Sequence, residues 1–196
     1  MTNAVTTAIR YASVRQQFNN NAKTREMYLL EYPLHQHRLI PILAKAAVYK
    51  LTVKWIILRW DSLSPDDLAN AKNPRAAEAH AISACLKPLF KWETMKALQE
   101  CREACGGHGY SSFARFGNWK EDYDVNLTWE GDNNVLIQQT IRWLLTAYQK
   151  SNFGKYESLK PFEDPILEKF DANDLIGVLK WKVMSLLEES VAALGK

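Results

Sequence analysis

Residues 101–134, CREACGGHGYSSFARFGNWKEDYDVNLTWEGDNN, join two apolar helical patterns and hold most of the side chains that read as chemistry rather than packing. Cys101 to Cys105 complete one helix. Gly106, Gly107 and Gly109 then permit the left-handed or close-approach backbone that ends a helix and lets a ligand near the main chain. At the far end Glu130 stands one residue before Gly131, and Asp132 or Asn133 is placed to cap a helix starting at about Asn134. A carboxylate at a helix entrance, beside a glycine that admits substrate, is where a general base is useful.

Working outward, the chain reads as helix after helix. Upstream, Asn73-Pro74 launches a long helix to Cys105, with an internal Pro88 expected to kink it near Ala84. Ser64-Pro65-Asp66-Asp67 spells a start of the same kind: Ser64 caps, Pro65 fills the first turn and Asp67 answers the cap. Before it, a helix from Tyr28 or Leu34 to Trp60 carries Leu39, Ile40, Leu43, Ala47, Leu51, Trp55 and Leu58 at helical spacing. Pro33 marks its entry and Pro41 an early kink. Its apolar surface is broad enough to pack on more than one neighbour. The first helix is expected over Ala4–Phe18, broken by Asn19, Asn20 and Asn21. Downstream, Asn134–Tyr148 places Ile137, Ile141, Leu144, Leu145 and Tyr148 on one face. Ser151–Pro165 reads as a linker. A final helix is expected from Asn173 or Asp174 to about Leu194. Strand-like alternation is missing throughout, so the class is all-α, an antiparallel bundle with an extra C-terminal helix. The division this suggests is residues 1–150 and 151–196.

With 196 residues and 47% hydrophobic content, the chain can bury one good core. A net charge of +3 with scattered basic residues argues against nucleic-acid partners. Lys45, Lys50, Lys54 and Arg59 interrupt the longest apolar helix, so no membrane insertion is expected. Arg10 and Arg15 lie where a signal peptide would be apolar. Three cysteines cannot all pair, and a reduced intracellular chain is the simplest reading.

Each candidate site has an ordinary alternative. Cys101, Cys105 and His108 are spaced as if for zinc, yet no second Cys/His pair completes a tetrahedral set, and no metal is expected. Gly106-Gly107-His108-Gly109 lacks the Gly-Lys-Ser/Thr of a phosphate loop and follows no strand, so a helix C-cap and turn is preferred over a phosphate cradle. Arg15 and Phe18 close the first helix, where an arginine can reach a phosphate and a phenylalanine can pack on a flat ring. Taken alone, they equally suit a solvated arginine beside a core aromatic. Glu130, flanked by Thr128-Trp129 and by Gly131, Asp132, Asn133 and Asn134, suits a general base or an ordinary acid at a helix N-terminus.

Three separated motifs in the same order, RYASVRQQF, CREACGGHGY and TWEGDNNVLIQQT, resemble the acyl-CoA oxidase family, relatives of the acyl-CoA dehydrogenases. The stretches LLEYPLHQHRLIPIL and CREACGGHGY most resemble its branched-chain, pristanoyl-CoA type. The resemblance covers roughly Ala4 to Tyr148 and is thinner beyond Ser151. It implies the family's antiparallel four-helix-bundle-like C-terminal domain, FAD as cofactor, acyl-CoA and O2 as substrates, a homodimer and a peroxisomal location. Glu130 matches the catalytic carboxylate, which takes the α-proton of an acyl-CoA as hydride leaves the β-carbon for the flavin; Gly131 matches a substrate-side position. Arg15 and Phe18 match residues that touch FAD across the subunit interface. Glu103, Gly106 and Gly107 match the segment along the adenosine-diphosphate part, and Asp132 and Asn134 match further cofactor-side positions.

Some features depart from the family pattern. Pro33 stands where the dehydrogenases usually carry a glutamine, and Asn19 where a glycine is common, a swap expected to tolerate positive φ. By this resemblance the sequence is expected to start inside the helix that leads to Arg15, after the point where the family's helical and β-barrel domains would come. It ends Ala193-Leu194-Gly195-Lys196, not in a Ser-Lys-Leu-type tripeptide. The expectation is therefore part of a peroxisomal FAD-dependent acyl-CoA oxidase. The alternatives are an acyl-CoA dehydrogenase or a catalytically silent helical interaction module.

Overall fold

The computed structural model describes residues 1–18, 25–70, 73–149 and 172–194. These form helices α1 (Thr2–Val14), α2 (Pro33–Asp61), α3 (Pro65–Ala69), α4 (Pro74–Ala104), α5 (Gly106–Tyr110), α6 (Phe116–Asp124), α7 (Asn133–Gln149) and α8 (Ala172–Leu194). Short 3-10 turns lie at Leu29–Glu31, Ser112–Ala114 and Val125–Leu127. Among the described residues the only extended pairing is an isolated bridge between Gln16 and Tyr28. The all-α class holds.

The chain divides into two compact units, Met1–Thr140 and Ile141–Lys196. In the first, α4 is the central element. Helix α1 lays Ala4, Val5, Ala8 and Ala12 into the core, one stripe at helical spacing and almost wholly buried. Leu39, Ile42 and Ala46 of α2, Ala97, Leu98, Cys101 and Ala104 of α4, and Phe116 of α6 complete the cluster. The many alanines let the helix axes come close, and the few large side chains supply most of the burial energy. Full burial of Val5, Leu39 and Phe116 contributes about 1.5–3 kcal/mol each.

Ion pairs set the direction of α2 against α4. Arg38 pairs with Glu100, Lys45 with Glu93 at 2.6 Å, and Arg59 with Glu78 at 2.5 Å. As α2 advances, its α4 partners retreat, so the two are antiparallel. Between these pairs the Tyr49 and Phe90 rings stack at 4.1 Å, and the Trp60 indole donates to Ser83 Oγ at 2.9 Å. Being partly exposed, the ion pairs add at most about 1 kcal/mol each and serve mainly to fix register. Helix α2 touches both α1 and α4, as its broad apolar surface suggested. Even so, Ile40, Leu43, Leu51, Trp55 and Leu58 stay exposed along it. The start of α7 runs back along α4: His80 meets Gln139 at 3.1 Å, and Thr140 Oγ1 donates to the Ala81 carbonyl at 3.2 Å.

The expected starts of α3 and α4 are present with their caps. Ser64 Oγ accepts from Asp67 N–H at 3.1 Å while Asp67 accepts from Ser64 N–H at 2.9 Å. Asn73 Oδ1 accepts from the amides of Arg75 and Ala76, and its own amide donates to Asp67 at 2.6 Å. Helix α2 starts at Pro33, within the expected span. Both long helices run through their prolines, and Pro88 is fully buried.

Several boundaries differ from the sequence reading. Helix α1 ends at Val14, so Arg15 and Phe18 do not close it; Arg15 is already extended. The cause is tertiary. Leu29 N–H donates to the Arg15 carbonyl at 2.9 Å, and Gln17 and Phe18 exchange backbone hydrogen bonds with Met27 at 3.0 Å. Asn19, Asn20 and Asn21 lie outside the described residues, as does the expected linker Ser151–Pro165. The segment after Cys105 is a further short helix, α5, and not a loop. Asn133 is the first residue of α7 and does not cap it; Asp132 does.

The second unit holds the last part of α7 and all of α8, which begins at Ala172, slightly before the expected start. Along α8, Val183 and Leu186 are exposed while Leu187 and Val191 are partly covered. Among the described residues no helix is long and apolar enough to cross a membrane.

Candidate active site

Glu130 and Gly131 form a turn with two consecutive left-handed residues, at φ +55° and +98°. For a non-glycine residue that conformation costs roughly 1–2 kcal/mol, so neighbours must hold it. On the downstream side Asp132 Oδ1 accepts from the amides of Asn134 at 2.9 Å and Val135 at 3.4 Å, capping α7. From α4, Lys87 Nζ donates to the Gly131 carbonyl at 2.7 Å and to Asn133 Oδ1 at 2.8 Å. One helical turn further on, Lys91 Nζ donates to Asn126 Oδ1 at 3.1 Å, and the Trp129 indole donates to the same oxygen at 3.2 Å. Gly131 is required for space as well as for φ: a Cβ there would stand 3.0 Å from Leu136 Cδ2.

The Glu130 carboxylate projects from this turn exposed, and among the described residues it accepts no hydrogen bond. A carboxylate held at a fixed backbone position with both oxygens free is able to accept a proton from a bound molecule. The sequence placed Glu130 at a helix entrance; the structure adds that it is strained and stands clear of the helix. Gly131, Asp132 and Asn134 lie with it, Asp132 committed to the cap and Asn134 exposed.

The remaining predicted residues gather elsewhere. Glu103, Gly106 and Gly107 lie at the C-terminal end of α4 and the start of α5. From Lys87 to Glu103, α4 rises about 24 Å at ~1.5 Å per residue, so the two groups are well separated. Arg15 and Phe18 follow α1, whose Tyr11 is hydrogen-bonded to His108 Nδ1 of α5, beside this second group, at 3.2 Å. Phe18 is left-handed at φ +62° and 71% exposed, an aromatic ring presented outward on a strained backbone. Asn19, for which tolerance of positive φ was expected, lies outside the described residues. Arg15 is exposed and forms no ion pair among the described residues. Glu103 accepts from the Gln99 amide, which holds its carboxyl below the usual range.

The glycines divide their work. Gly106 is left-handed at φ +58°, and neither Gly106 nor Gly107 has anything within 4 Å of where a Cβ would stand. The main chain there is open to a ligand. Gly109 serves close packing instead, since a Cβ there would sit 2.0 Å from the Arg102 carbonyl. An open glycine backbone, an unpaired arginine and an outward phenylalanine together suit an extended ligand with phosphates and flat rings.

Burial pushes the Cys101 thiol up to about 12 and the Cys105 thiol to about 11, so both are neutral at physiological pH and are poor metal ligands or nucleophiles. Their neighbour His108 is exposed and engaged with Tyr11. Lys87 and Lys91 were missed from sequence. Nothing local marks them, since each reaches a loop more than thirty residues away.

A family model for "Acyl-CoA oxidase, C-alpha1 domain" matches residues 1–145. Human peroxisomal acyl-coenzyme A oxidase 3 is 36% identical over 98% of this chain and 31% of its own length. Acyl-coenzyme A oxidase 2, peroxisomal, of Arabidopsis thaliana is 40% identical over 77% of this chain and 21% of its own. The crystal structure of acyl-CoA oxidase-2 of Caenorhabditis elegans, bound with FAD, ascaroside-CoA and ATP, superposes with a TM-score of 0.82 at 26% identity. That match covers 98% of this chain and 31% of the other. The chain thus spans a third or less of the length of these relatives, and it belongs to the acyl-CoA oxidase family.

Proposed function

We propose that residues 1–150 form the helical, base-bearing domain of a peroxisomal FAD-dependent acyl-CoA oxidase, with 151–196 leading into a further helical region. The reaction is α,β-dehydrogenation of an acyl-CoA to a trans-2-enoyl-CoA, with O2 reduced to H2O2, as in fatty-acid β-oxidation. The observation that carries this reading is the exposed Glu130 carboxylate, which accepts no hydrogen bond among the described residues, on a left-handed turn braced from α4.

Glu130 takes the α-proton of the thioester, and the carboxylic acid so formed is free to release it to solvent. An α-C–H is a weak acid until its carbonyl oxygen is held by placed donors, and the Glu130 backbone N–H is assigned as one of them. Gly131 keeps the approach to that carbonyl open, having no side chain. FAD, when bound, would supply the hydride acceptor and the redox chemistry that links the reaction to O2. Arg15 is assigned to the cofactor pyrophosphate, Phe18 to its ring, and Glu103, Gly106 and Gly107 to its adenosine-diphosphate part; Asp132 and Asn134 lie on the cofactor side of the base. Since Glu103 lies about 24 Å along α4 from Lys87, which contacts the Glu130–Gly131 turn, the two groups suit cofactors shared between two copies in a homodimer.

Glu130→Gln tests the reading in the flavin-loaded protein that carries these residues. FAD should stay bound while acyl-CoA-dependent peroxide release falls by a factor of roughly 100 to 10,000. Peroxide release at the unsubstituted rate would remove Glu130 from the reaction.

A further inference from the structure

The Glu130–Gly131 turn carries two left-handed residues in succession, yet it lies outside any helix. Asp132 secures the chain after the turn through the α7 cap. What secures the turn itself comes from α4. Lys87 Nζ lies 2.7 Å from the Gly131 carbonyl oxygen and 2.8 Å from Asn133 Oδ1, two acceptors on either side of Asp132. Asn133 is 1% exposed, so its oxygen is a fixed acceptor inside the fold. Lys87 itself is half-buried and rooted beside the fully buried Pro88, where α4 has little freedom.

Helix stability does not explain a lysine here. An ammonium at the N-terminus of α7 meets the positive end of that helix dipole, an unfavourable placement. Lys87 and Lys91 also stand one turn apart on α4, and like charges at that spacing repel. Burial and the Lys91 charge both lower the Lys87 pKa, while the Asp132 and Glu130 carboxylates oppose them. A neutral side chain would avoid all of these costs. What only the ammonium supplies is two charge-assisted hydrogen bonds onto the turn, with a positive charge facing the carboxylates that flank Gly131.

We propose that Lys87 is a positioning residue. Its ammonium ties the Gly131 carbonyl to the Asn133 side chain and so fixes the left-handed turn from which Glu130 leaves the chain. Lys91, through Asn126 and Trp129, holds the other side of the same loop. The proposal rests on Glu130 being the base, but its test does not depend on turnover.

The test compares wild type with Lys87→Met, which keeps the stem and removes the donors, and Lys87→Arg, which keeps charge and donors. Lys87→Gln, with one donor group, serves if the methionine variant fails to fold. In the wild-type chain the backbone amide resonances of Glu130 and Gly131 define the turn, and slow exchange at Asn134 and Val135 reports the α7 cap. Lys87→Met should shift the first pair and speed exchange of the second about tenfold, with the unfolding temperature of the α4 core little changed. Lys87→Arg should restore both. In the flavin-loaded protein, Lys87→Met should lower kcat about tenfold or more with KM for the acyl-CoA nearly kept. Unaltered turn resonances and cap exchange in Lys87→Met would overturn the proposal. Absence of acyl-CoA-dependent turnover in the wild-type protein would instead strike the oxidase reading, leaving the amide result to decide the clamp.

Discussion

Gly131 carries a positive φ of +98° and a side-chain vacancy facing Leu136 at 3.0 Å, so it is the residue at which the turn is most easily damaged. Gly131→Ala should destabilise the fold by about 1–2 kcal/mol, mostly through backbone strain, because the Leu136 side chain can shift. Urea unfolding measures this, and an unchanged midpoint would show the turn to be more plastic than its dihedrals indicate. At this scale the reading of Glu130 as a base came from the motif resemblance, while its place at the entrance of α7 was legible in the sequence from Gly131 and the Asp132 cap after it. Its strained conformation was not, because the clamp comes from Lys87, far away along the chain. Phe18 teaches the same lesson: its positive φ accompanies backbone pairing with Met27, a contact that periodicity does not reveal.

Helix starts were the most readable elements, since caps act within four residues. Ser64 with Asp67 and Asn73 with Pro74 needed no tertiary help to be found. Asn73→Ala should cost about 1 kcal/mol, somewhat more than an isolated cap, because Asn73 also donates to Asp67. A loss under a few tenths would mean that Pro74 and packing alone fix the start of α4. Helix ends were harder. The end of α1 is decided by the strand-like pairing of Arg15 and Gln17 with Leu29 and Met27, a contact invisible to periodicity. Glycines misled after Cys105: Gly106 turns the chain with positive φ, but Gly107 and Gly109 continue into α5.

Across the whole first unit, the antiparallel register of α2 and α4 carries a pH signature. Lys45 and Lys96 both donate to Glu93, which holds its carboxyl below the ordinary value of 4.5. The folded chain therefore takes up that proton at lower pH than the unfolded chain. Its contribution is whole above pH 4.5 and is lost as pH falls through the folded value. On the lysine side, Glu93 raises Lys45, so that share is present at neutral pH and is lost as pH rises through the raised value. Glu93→Gln should flatten the stability profile below pH 4.5, measured by thermal unfolding in acid; an unchanged slope would assign the acid limb to other carboxylates, such as Asp67.

The all-α class was readable from helical spacing and the absence of strand-like alternation, while the reading of Glu130 as a base came from three motifs in order. What sequence did not convey is that the cofactor-matching residues fall into two groups at different heights on α4, since that depends on how α1 and α5 meet through Tyr11 and His108. The most direct measurement is anaerobic mixing of the flavin-loaded protein with an acyl-CoA, following visible absorbance in wild type and in Glu130→Gln. If Glu130 takes the α-proton, wild type loses its flavin absorbance and Glu130→Gln keeps it, although both bind FAD. Equal bleaching of the two would contradict the assignment of the base.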